Sequence, residues 1–128
     1  MEKIQIALIS HDGKKPEMVS FVMRNKAFLG DCDIYATGTT GSHIEQEGFK
    51  VNKLLSGPVG GDAQIGAMIA VGDIDLVIFF RDPMGKHPHE PDVQMLMRLC
   101  DVHNVPLATN PKGAKYLLSG IREDFLKL

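Results

Sequence analysis

The sequence predicts a three-layer α/β fold, with a five-stranded, mainly parallel sheet carrying helices on both faces, of flavodoxin-like type. Two observations carry this expectation. Aliphatic runs of strand length alternate with segments of helical periodicity along the 128 residues, which is the pattern of successive βα units. Polar, glycine-rich residues then gather after the strands, while the opposite connectors are ordinary. At this length one domain spanning residues 1–128 is expected.

The elements follow in order. Residues 4–9 read as a buried strand ending in Ser10-His11-Asp12-Gly13. Pro16 opens a helix whose inner face is Met18, Phe21, Val22, Phe28 and Leu29, and Gly30 is expected to stop it. Residues 33–37 form a second strand, Gly38-Thr39-Thr40-Gly41 follows, and then comes a short polar helix ending at Gly48. Phe49, Val51 and Leu54-Leu55 suggest a third strand. The stretch from Ser56 to Asp62 leads into a helix with Ile65, Met68 and Ile69 inside and Gly72 after it. Residues 75–80 are the clearest strand, and a polar loop runs on to Asp92. Val93, Leu96, Met97 and Cys100 lie at helical spacing, and residues 105–109 form the fifth strand. A last helix is expected over 112–118 with Gly120 ending it, and the tail from Ile121 is either helical or extended.

Bulk properties exclude several function classes. Hydrophobic residues make up 44% of the chain, enough for a core without disulfide or metal staples. A net charge of −2 gives a nucleic-acid partner no electrostatic support. The lysines are scattered, which argues against an anionic membrane surface, and no apolar run reaches the length of a membrane span. Cys32 and Cys100 lack metal spacing and read as reduced core thiols. With no leader-like segment before the first strand, the expected location is the cytoplasm.

In open α/β sheets ligands bind outside the carboxyl ends of the strands. There the sequence places Ser10, His11 and Asp12, then Thr37, Gly38, Thr39 and Thr40, then Ser56, Gly57, Gly60, Gly61 and Asp62, then Arg81 and Asp82 with His87, His89 and Asp92 further on, and finally Thr109 and Asn110. Thr37-Gly38-Thr39-Thr40-Gly41 offers hydroxyls and backbone N–H groups at a helix start, which suits a phosphate. The same residues could do no more than turn the chain and cap that helix. Ser56-Gly57 supplies a second wall and Lys15 a point charge. Asp12, Asp62, Asp82 and Asp92 would repel an anion unless they bind a metal or handle protons with His11 and His89. Zinc and EF-hand spacings are absent, while magnesium held by one or two aspartates stays open on spacing alone. Asp92 is equally placed to cap the helix it precedes. His43 reads as solvated, His87 as loop surface and His103 as a structural residue at a helix end.

Together these motifs resemble the methylglyoxal synthase family. The resemblance rests on residues 7–12, 35–41, 55–62, 80–83, 89–93 and 106–110, and covers nearly the whole chain in order. It implies a carbon–oxygen lyase that converts dihydroxyacetone phosphate to methylglyoxal and inorganic phosphate, without a metal or other cofactor. It implies a homohexamer inhibited by phosphate. It assigns Asp62 as catalytic base and His89 as the histidine working on the substrate oxygens and protons. His11, Asp12, Asp82 and Asp92 match supporting polar residues. Lys15, Thr37, Gly38, Thr39, Thr40, Ser56 and Gly57, with His11 and His89, match the substrate and phosphate site. Gly113 stands where relatives often have threonine. A receiver-type signalling domain is rejected, because the third strand ends in Ser56-Gly57 and Thr109-Asn110 replaces the lysine such a domain needs. A non-catalytic effector-binding domain of similar fold is disfavoured by Asp62, His89 and Asp92.

Overall fold

The computed structural model describes residues 3–85 and 90–126, with the side chains of 90–92 and 125–126 outside that description. The elements are β1 (Gln5–Ser10), α1 (Lys15–Arg24), α2 (Lys26–Leu29), β2 (Asp33–Thr37), α3 (Gly38–Gln46), β3 (Val51–Leu54), α4 (Gly61–Ala70), β4 (Leu76–Phe80), α5 (Glu90–Val102), β5 (Leu107–Ala108) and α6 (Pro111–Leu126). Short 3-10 turns at Asp12–Lys14 and Gly57–Val59 precede α1 and α4.

The sheet has the order β3-β2-β1-β4-β5, and every pair is parallel. The three-layer α/β expectation therefore holds, but the flavodoxin-like strand order, 2-1-3-4-5, does not: β3 extends the sheet beyond β2 and leaves β1 paired with β4. Because the chain reverses its direction across the sheet between β1 and β4, the topological switch point lies there.

Strand alternation sends successive side chains to opposite faces. On β1, Ile6 and Leu8 join one core with Met18, Phe21 and Val22 of α1, Ile44 of α3, and Ala114 and Leu118 of α6. Ala7 and Ile9 join the other with Ile65 and Ile69 of α4 and Val93, Leu96 and Cys100 of α5. Both faces of the central strands are thus covered, which is why residues 6–9 and 76–80 are apolar at every position and buried throughout.

Three of the departures from the expected element boundaries have a visible physical cause. The helix expected to run unbroken to Leu29 divides at Asn25, whose side-chain Nδ2 donates to the Phe21 carbonyl at 2.8 Å. That bond competes with the helical ladder. The fifth strand shrinks to Leu107–Ala108, because Pro106 has no N–H and contributes only its carbonyl, 2.9 Å from Val77 N. Gly120 does not end the last helix, which continues through the tail to Leu126. The reason is burial: Leu117, Leu118 and Ile121 all pack on the core and Arg122 lies 5.2 Å from the Phe28 ring centre, so the apolar stripe crosses the glycine.

Candidate active site

A cavity of ≈ 650 Å³ opens at the carboxyl ends of β1, β2 and β3, beside the segment that follows β4. It has an anion-attracting wall, a carboxylate wall and a histidine wall.

The first wall is the start of α3. The helix begins at Gly38 with no intervening loop, and its N-cap Thr37 is extended and makes no side-chain capping bond. The positive end of the helix dipole therefore faces the cavity with Thr37, Gly38 and Thr39 on its lining. A side chain at Gly38 would put Cβ 2.9 Å from Ser56 Cα, so glycine is what lets the two walls approach. Lys15 Nζ is anchored on the rim by the Ser10 carbonyl at 3.1 Å and by Asp12 Oδ1 at 3.0 Å. Thr40 does not line the cavity. It is buried behind the wall, with its hydroxyl 3.1 Å from that of Ser10.

The second wall delivers Asp62. The loop folds through the 3-10 turn, passes Gly60 at φ 117° and enters α4 at Gly61. Gly61 N donates to the Ser56 carbonyl at 2.9 Å, and a Cβ at Gly61 would fall 1.9 Å from the Leu55 carbonyl oxygen. Gln64 Oε1 accepts the Leu55 N–H at 2.9 Å and closes the loop from the other side. Asp62 then sits in the first turn of α4, where the helix dipole favours a carboxylate, and is only 2% exposed. Its two oxygens each lie 3.2 Å from where a Cβ on Gly57 would stand, so the carboxylate spans the bare backbone of Gly57.

The third wall is His11, 4% exposed, its ring in a T-shaped contact with Phe79 at 5.1 Å between ring centres. His11 Nδ1 accepts the backbone N–H of Asp82 at 3.0 Å. Asp82 in turn accepts the Met84 N–H on Oδ1 at 3.1 Å.

Of the residues expected from sequence, Asp62, His11, Asp12, Asp82, Lys15, Thr37, Gly38, Thr39, Ser56 and Gly57 are brought to this one cavity. His89, with His87, and the side chain of Asp92 lie outside the described residues. His43 and His103 are exposed and away from the cavity. Sequence reasoning did not single out Gly13 and Pro58, which also line it. Pro58 carried a signal, since proline at the start of a 3-10 turn fixes the loop's entry angle. Gly13 carried none beyond its place after Asp12. Asn110, on the same edge in sequence, is instead a helix cap, its Oδ1 accepting the Gly113 N–H at 2.8 Å. Among the described residues no group of three or more His, Cys, Asp or Glu is arranged to hold a metal.

The MGS-like domain family model matches residues 17–109, a span that holds every wall of the cavity except the segment around His11. The chain belongs to the methylglyoxal synthase family. Relatives named methylglyoxal synthase extend the likeness beyond that span. One from Cupriavidus taiwanensis is 53% identical over 95% of this chain and 92% of its own length. Another, from Lysinibacillus sphaericus, is 56% identical over 96% of this chain and 92% of its own. The crystal structure of methylglyoxal synthase from Elizabethkingia anophelis superposes with a TM-score of 0.87 at 46% identity, covering 91% of this chain and 78% of that one.

Proposed function

We propose that this chain is a carbon–oxygen lyase that converts dihydroxyacetone phosphate to methylglyoxal and inorganic phosphate through an enediolate. The observation that carries the reading is the buried Asp62 carboxylate in the same cavity as the start of α3. A base and an anion cradle side by side suit a phosphate ester that must lose a carbon-bound proton. The names of the relatives support it.

The phosphate rests on the first turn of α3, with the hydroxyls of Thr37 and Thr39, Ser56 and the Lys15 ammonium around it. Asp62 removes a proton from the hydroxymethyl carbon. The electron pair moves into the carbonyl to give the enediolate, whose oxygens are held by His11 and His89. The enediolate collapses, the bond from carbon to the phosphate oxygen breaks, and phosphate leaves with the pair. The remaining enol tautomerises to methylglyoxal. Elimination wins over isomerisation when the breaking C–O bond lies parallel to the π system, so rigid walls that fix this torsion decide the product. Asp12, Asp82 and Asp92 support the site, and Thr40 supports the anion wall from behind through Ser10. The chemistry needs no metal or organic cofactor, and residues 1–128 serve as one catalytic domain. The resemblance further supports a cytoplasmic homohexamer inhibited by phosphate.

The test is incubation with dihydroxyacetone phosphate, reading methylglyoxal colourimetrically against phosphate release. Equal yields are expected, with Asp62→Asn losing nearly all turnover while still binding substrate. Phosphate without methylglyoxal, or full activity in Asp62→Asn, would overturn the assignment.

A further inference from the structure

We propose that the turn after β4 is a tautomer clamp, in which the Asp82 side chain folds the chain so that the Asp82 backbone N–H fixes His11 as the neutral ring protonated at Nε2. The clamp rests on the reaction proposed above, since it defines the donor presented to the enediolate.

The geometry leaves one assignment. A backbone N–H can only donate, and Asp82 N lies 3.0 Å from His11 Nδ1. Nδ1 must therefore offer its lone pair, and the single ring proton belongs on Nε2. A doubly protonated ring would set one N–H against another. The two partners are 71 residues apart in sequence but are held by the sheet itself. β1 and β4 pair up to Ser10 and Phe80, and His11 N continues the ladder by donating to the Phe80 carbonyl at 3.1 Å. The T-shaped contact with Phe79 packs against the ring as well.

The Asp82 side chain supplies the last constraint. Its Oδ1 accepts the Met84 N–H at 3.1 Å, an Asx turn that sets the direction of the Asp82 amide. Its Oδ2 packs over Gly13, where a Cβ would stand only 2.8 Å away. Gly13 is thus the floor of a slot that seats the carboxylate. In this arrangement Asp82 is a positioning residue that works through its amide and its turn. The consequence for the chemistry is direct. An enediolate is best held by a donor that does not hand over its proton, and a neutral imidazole N–H meets that need where an imidazolium would protonate the intermediate.

Long-range proton–nitrogen NMR of the free protein, with His11→Gln to assign the signal, reads the tautomer without any substrate. The expected result is a pyridine-like Nδ1 and a pyrrole-like Nε2 for His11. In Asp82→Ala that signature should average towards mixed tautomers and kcat should fall on the order of a hundredfold. Asp82→Asn can rebuild the Asx turn, so it should keep the tautomer and most of the turnover. An Nδ1–H ring in the wild type would overturn the clamp, as would an Asp82→Ala protein with an unchanged His11 signal. An Asp82→Asn protein with the correct tautomer and no turnover would also overturn it, by giving the carboxylate charge a chemical task. The expected tautomer in a wild-type protein that makes no methylglyoxal would uphold the clamp and sink the proposed reaction instead.

Discussion

Gly57 and Gly61, both in the loop that delivers Asp62, show how differently the same residue type can act. At Gly57 a methyl group would stand 3.2 Å from both Asp62 oxygens, and the backbone has no positive φ there. Alanine is tolerated by the chain but pushes the carboxylate by a few tenths of an ångström. For Gly57→Ala we expect kcat to fall by about tenfold to a hundredfold, since small misplacements of a reacting group cost rates of that order. Circular dichroism and the denaturation midpoint should stay close to wild type. At Gly61 the methyl would stand 1.9 Å from the Leu55 carbonyl oxygen, which is backbone and cannot step aside. Gly61→Ala should therefore disturb the loop itself, lowering both turnover and the unfolding temperature. Steady-state kinetics paired with thermal melts separates the two. The sequence marks the glycine-rich stretch and its aspartate as the centre of the site, but it cannot divide the glycines by task. That division depends on which backbone each would strike, a property of the folded loop alone. Thr40 makes the same point: its spacing matches the anion wall, yet its hydroxyl turns inward to Ser10.

At the level of elements, α6 carries two independent signals that local pattern weighs wrongly. Glycine after an apolar stripe reads as a stop, yet Gly120 lies exposed in the helix interior, where a methyl group would meet no atom within 4 Å. Tertiary burial of Leu118 and Ile121 on either side outweighs the roughly 1 kcal/mol that glycine costs against alanine. Gly120→Ala should recover that cost and stabilise the protein by about 0.5–1 kcal/mol, measured as a raised midpoint in urea with an unchanged slope. Asn110 works in the opposite direction. Its side chain caps the Gly113 N–H, so Asn110→Ala should destabilise by about 1 kcal/mol. The junction of α1 and α2 is the counterpart, where Asn25 breaks a helix that apolar periodicity alone continues. In each case the element is legible from its stripe, whereas its ends depend on one side-chain bond or one distant packing contact.

For the molecule as a whole, the legible part is the asymmetry between the two edges of the sheet. Parallel βα units put every strand's carboxyl end on one side, so residues scattered from His11 to Asp82 have to converge there. What sequence does not supply is the strand order, and with it the β1–β4 pairing that sets His11 against Asp82. The two core layers give the last prediction, because each holds one thiol: Cys32 in the layer under α1, α3 and α6, and Cys100 in the layer under α4 and α5. Burial pushes both up from the ordinary 9.0 to about 11, with Asp31 and Asp33 adding to the rise at Cys32 and Asp101 at Cys100. Between those values the unfolded chain loses both protons while the folded one keeps them. The folded state then binds more protons, so its stability is intact below pH 9 and falls as pH climbs towards 11. The limiting slope is about 1.4 kcal/mol per pH unit for each thiol. The comparison is with Cys32→Ala/Cys100→Ala, which removes both thiols and retains every other group. Urea midpoints from about pH 8 to about pH 11 should fall more steeply for the wild type than for the double variant, and parallel curves would show that the thiols do not stay protonated in the folded core.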